Sequence, residues 1–65
     1  MIVARNITKD FIRAQNNITE FAKGLEVSRE TVYNLLNDES VSSDMVGKLL
    51  TLTGFDFEKA FEVKD

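Results

Sequence analysis

The stretch Ile18 to Asn37, ITEFAKGLEVSRETVYNLLN, decides how this chain is read. Asn17 stands just ahead of it and Glu20 follows three residues later, a capping-box-like spacing that marks a helix start. Ile18, Phe21, Ala22 and Leu25 fall in a narrow arc at about 100° per residue, which predicts a short amphipathic helix. Gly24-Leu25-Glu26-Val27 interrupts the pattern. Ser28 then caps a second helix with Val32, Leu35 and Leu36 on one face and Glu30, Tyr33, Asn34 and Asn37 on the other.

Working outward, Thr8 is the expected cap of an upstream helix carrying Phe11, Ile12 and Ala14, with Ile7 as a hydrophobic staple and Asn16-Asn17 as its end. Downstream, NDESVSS from Asn37 to Ser43 reads as a polar connection. Ser42 caps a helix bearing Met45, Val46, Leu49, Leu50 and Leu52, and Gly54 stops it. Asp56 opens a last short helix on which Phe57, Ala60 and Phe61 share a side. MIVAR at the start and Phe61 to Val63 near the end look like strand segments, the material of a small terminal ribbon. The absence of proline and the presence of only three glycines argue against an all-β fold. The expectation is an all-α domain spanning residues 1–65, with four or five compact helices and a short terminal strand as the one β element.

Sixty-five residues make a thin core, and domains of this size usually need disulfides, a metal, self-association or very good helix packing. Without Cys or His, disulfides and the usual zinc ligands are excluded, as are a thiol nucleophile and a histidine base. No nucleophile–base pair or paired-carboxylate constellation can be assembled, so neither an enzyme nor a metal, cofactor or small-molecule site is expected. The longest apolar run is four residues, too short for a membrane span or a secretory h-region, and a cytoplasmic protein is expected. The net charge of −3 offers no global attraction to a polyanion. Its distribution matters more: residues 1–37 hold five basic against four acidic side chains, and residues 38–65 hold three against seven.

Two helices with a four-residue break, the second polar on its outer side, meet the geometric requirement of a helix-turn-helix. Ile18 to Asn37 also resembles the helix-turn-helix of Cro/C1-type (XRE-like) repressors. Ala22 stands at the small position of the first helix, Leu25 and Val27 form the apolar pair of the turn, Ser28-Arg29 opens the recognition helix, and Val32 and Leu35 take its core positions. KLLTLTG at Lys48 to Gly54 and FDFEKAF at Phe55 to Phe61 look like the family's fourth and fifth helices. The likeness covers about two thirds of the chain. It departs in the turn, where the family commonly has glycine and this chain has Glu26. A left-handed backbone there costs on the order of 1 kcal/mol in a residue other than glycine.

The resemblance implies a lambda-repressor-like domain, with its helix-turn-helix at 18–37 and core helices within 43–61, that binds double-stranded DNA and regulates transcription by occupying an operator. Its recognition helix would enter the major groove, where Arg29 can pair with guanine, Asn34 with adenine and Glu30 with a cytosine amino group. Asn17, Lys23, Ser28, Thr31 and Tyr33 are the expected backbone contacts, with Lys9 and Arg13 as charge at the rim. Ser28 and Asn17 serve as helix caps whether or not they touch DNA. Phe55, Phe57 and Phe61 exceed what one short helix can readily bury, so they are the expected surface of a homodimer, and a two-fold dimer implies a pseudo-palindromic operator. Two alternatives share the fold: an antitoxin-type autorepressor that also binds a toxin, and an antirepressor-like interaction module that does not bind DNA.

Overall fold

The two ends of the chain meet. In the computed structural model, which describes residues 1–65, β1 (Ile2–Ala4) pairs antiparallel with β2 (Phe61–Val63), in the register Ile2↔Val63, Val3↔Glu62 and Ala4↔Phe61. Met1 and Lys64 extend the pairing, the Lys64 N–H donating to Met1 C=O at 2.7 Å and the terminal ammonium to Lys64 C=O at 2.6 Å. Between the strands run α1 (Asn6–Arg13), α2 (Ile18–Gly24), α3 (Arg29–Leu36), α4 (Ser43–Thr53) and α5 (Phe57–Ala60). Two three-residue strands are marginal alone, and here Val3, Ala4 and Phe61 are held by burial on the helices. No helix is long and apolar enough to cross a membrane.

The caps read from the sequence form at three helices. Asn17 Oδ1 accepts from Glu20 N–H at 3.1 Å, Ser28 Oγ from Thr31 N–H at 3.1 Å and Ser42 Oγ from Met45 N–H at 3.2 Å. Each satisfies a backbone donor that has no partner within the helix. Gly54 ends α4 at φ 75°, its N–H donating to Leu50 C=O at 2.9 Å.

The start of α1 differs from expectation. The chain passes from strand to helix without a loop: Arg5 is the residue before the helix, and its C=O already accepts from Thr8 and Lys9 N–H. Thr8 therefore lies inside α1, 1% exposed, and its hydroxyl donates to Ala60 C=O at 2.8 Å instead of capping. A threonine hydroxyl buried in this way joins the first helix to the last. Arg5 strengthens the same junction, with Nε donating to Glu58 C=O at 2.8 Å and Phe61 C=O at 2.9 Å.

The core draws its larger side chains from four elements: Ile12 from α1, Val32 and Leu35 from α3, Met45 and Leu49 from α4, and Phe61 from β2. Phe61 overturns its assignment to a dimer surface. It is 0% exposed, because α5 stops at Ala60 and Phe61 begins a strand whose side chain turns inward. Phe57 stacks on it at 5.8 Å between ring centroids, and Phe55 meets Phe11 edge-on at 6.3 Å, as Phe11 does Phe21. The expected excess of phenylalanine is therefore largely absorbed within one molecule, Phe55 and Phe57 remaining half-buried.

Candidate functional site

The local sequence of α2 and α3 produces a hairpin whose inner side is apolar and whose outer side is not. Ala22, Val32 and Leu35 are buried, and Ile18, Phe21, Leu25 and Val27 pack partly against the core. Ala22 at 2% exposed is the small contact that lets the two helices approach. The turn between them begins with an exit in which Glu26 N–H donates to Lys23 C=O and Val27 N–H to Ala22 C=O, both at 3.0 Å. These are the two bonds of a Schellman motif, and they require a left-handed residue at Glu26. Glu26 adopts φ 60°, the conformation for which glycine would be the easier choice. Ser28 then starts α3, its hydroxyl also 2.8 Å from Thr31 Oγ1.

The side chains named from the sequence gather on this hairpin. Arg29, Glu30 and Tyr33 are exposed along the outer side of α3, and Tyr33 retains 45% of its surface. Asn34 is half-buried, set toward α4, where it joins Thr31, Ser40 and Ser42 around a shallow cavity of about 260 Å³. Asn17 and Ser28, both exposed, sit at the N-termini of α2 and α3, where free backbone N–H groups favour anions. Lys23 is exposed beside Glu20 at 3.8 Å, a surface pair of at most about 1 kcal/mol.

Lys9 does not serve as rim charge. Its side chain is nearly buried on α1 and its ammonium pairs with Asp38. The hydrogen bond from Lys9 holds the Asp38 carboxyl below the usual aspartate range, against a smaller opposing effect of desolvation. A lysine at this position gives no sequence signal of burial, since its partner lies on another element.

Charge pairing sets one cation apart. Arg5 and Lys64 both lie against Glu62, at 3.4 and 3.7 Å. Arg13 faces Asp10 at 3.7 Å and Lys48 faces Asp44 at 3.4 Å. Lys59 sits over the Phe55 ring, 5.3 Å from its centroid. With Lys9 and Lys23 also paired, Arg29 is the one cationic side chain of eight without a carboxylate or aromatic partner. It is exposed at the first position of α3.

No family model, curated protein or solved structure matches this chain. What the site can do follows from its own geometry: an exposed helix presenting a free guanidinium, a carboxylate, a phenol and amides, flanked by two capped helix N-termini.

Proposed function

We propose that α2, its turn and α3 act as a helix-turn-helix and that the protein is a sequence-specific DNA-binding transcriptional regulator, a Cro-like repressor working by operator occupancy. The unpaired Arg29 carries this reading. A guanidinium free of internal partners keeps all its donors for a planar bidentate acceptor such as a guanine edge. Its place at the start of α3 is where a recognition helix meets bases. Glu30 extends the base-facing set, Asn34 stands at its half-buried edge toward α4, and Asn17, Lys23, Ser28, Thr31 and Tyr33 take the phosphate backbone. The left-handed turn residue supports the same reading, because the hairpin keeps that geometry even though the sequence supplies glutamate there.

The operator-bound form is a homodimer reading a pseudo-palindrome, with half-sites about one DNA turn, roughly 34 Å, apart. With Phe61 in the core, the accessible apolar side chains of the C-terminal region are Leu52, Phe55, Phe57 and Val63, and pairing would draw on these.

A non-DNA-binding interaction module is favoured by the net charge of −3 and by Glu26 and Glu30, which have no cationic partner on or near α3. Selection from a pool of random duplexes separates the two readings. A repressor enriches one sequence and binds it less tightly as salt rises. A module of the second kind enriches none at low salt.

A further inference from the structure

α3 ends through Asp38, whose φ of 63° is left-handed. Asp38 N–H donates to Leu35 C=O at 3.2 Å and Glu39 N–H to Asn34 C=O at 3.0 Å, again a Schellman exit. On local grounds aspartate is a poor residue for this place. It strains the backbone relative to glycine and sets negative charge beside the negative end of the helix dipole. Its compensation comes from α1: the carboxylate accepts from Lys9 Nζ.

Lys9 depends on that contact in turn. It is 9% exposed, and Asp38 is its only side-chain partner. Removing the carboxylate would leave the ammonium of a largely covered side chain without its one charged partner. Three residues beyond, Val41 N–H donates to Ile2 C=O of β1 at 2.8 Å. The α3–α4 connection is therefore fastened twice to the framework, at Asp38 to α1 and at Val41 to the ribbon.

We propose that Lys9 and Asp38 form a latch that fixes the C-terminal end of α3, and with it the tilt of the outer face of α3, against α1 and the terminal ribbon. Both are positioning residues, acting through α3 without touching a ligand. The consequence for DNA rests on the proposed function, whereas the consequence for α3 does not. Around the pair lie Arg13 of α1 and Lys64 beyond β2, both of which favour the ionised Asp38, and Arg5 and Glu62, which line the same cleft.

Amide exchange on the free protein tests the latch directly, with Asp38→Asn and Asp38→Gly as the variants. Both substitutions accept the left-handed backbone and both remove the charge. The latch predicts about tenfold faster exchange, relative to the α4 core amides, at residues 38, 39 and 41 in Asp38→Asn, and a smaller acceleration in Asp38→Gly, where the relaxed backbone offsets part of the loss. In the wild type, the same amides lose protection as pH falls through the lowered Asp38 range, and in Asp38→Asn this step disappears. An Asp38→Asn variant that exchanges as slowly as the wild type would overturn the latch, because the connection would then hold without the charge. Lys9→Met is a second arm that leaves Asp38 in place, and unchanged protection at residues 38 and 39 in that variant would also contradict it. If a selected duplex is in hand, Asp38→Asn should bind it about tenfold less selectively, each factor of ten being 1.4 kcal/mol. Failure to select any duplex would sink the DNA reading and leave the exchange result standing.

Discussion

Residues 18–38 supply three of the fourteen buried side chains, Ala22, Val32 and Leu35, and the remainder of the chain supplies the others. The same division appears in the charges. Outside the α2–α3 hairpin every lysine and arginine is tied to a carboxylate or a ring, while α3 begins with a cation tied to nothing. The hairpin is thus held by a narrow apolar seam and presents its polar side outward. The framework of ribbon, α1, α4 and α5 spends its polar groups internally, as in the Arg5 and Thr8 contacts to the α5–β2 junction. Stability and recognition are therefore expected to respond to different substitutions.

The largest effect should come from the framework. Phe61→Ala empties a fully buried site and is expected to cost about 3–5 kcal/mol. At roughly 4–8 °C per kcal/mol for a domain of this size, thermal denaturation should show a fall in Tm of more than about 10 °C. Arg29→Ala should do the reverse: less than about 0.5 kcal/mol in stability, but about 1–3 kcal/mol of discrimination at one base pair, read by titrating the variant onto matched and mismatched duplexes.

Thr8→Val acts inside the framework, at the contact between α1 and α5. It removes the hydroxyl bond to Ala60 C=O, but that carbonyl also accepts from Arg5 N–H at 2.9 Å. The expected loss by urea denaturation is accordingly near the ordinary value of about 1 kcal/mol, short of the full penalty for an orphaned carbonyl. The smallest effect belongs to the turn. Glu26→Gly relieves the left-handed strain and takes a negative charge from the C-terminus of α2, and should stabilise the fold by about 0.5–1 kcal/mol. For so small a domain, 1 kcal/mol corresponds to a rise of roughly 4–8 °C in Tm.

Legibility in the sequence follows the range of the interactions. Asn17, Ser28, Ser42 and Gly54 act on backbone groups within a few residues, and the helix boundaries they mark are where the sequence puts them. The terminal ribbon was also readable, from its apolar, β-branched ends. Thr8 and Lys9 mislead because their partners lie 52 and 29 residues away in the chain, and Phe61 because its strand pairs with Ala4 at the opposite end. Thr8 had the chemistry of a cap, Lys9 that of a surface charge, and Phe61 a helical spacing from Phe57. Each is reassigned by one tertiary contact: Ala60 C=O, the Asp38 carboxylate, and the core beneath the ribbon. The exposure of Arg29, Glu30 and Tyr33 was legible because helical periodicity alone puts them outside, whereas the half-burial of Asn34 depends on α4. That Arg29 is unpaired was not legible, since it depends on where every acidic side chain falls.

The proposed reading of DNA by α3, opened by a free Arg29, is open to parallel selections from a random duplex pool, one with the wild type and one with Arg29→Ala. The wild type should yield a two-half-site sequence, and the variant the same sequence relaxed at one base pair in each half-site. Enrichment of no sequence by the wild type at low salt, or identical sequences from both proteins, would contradict that reading.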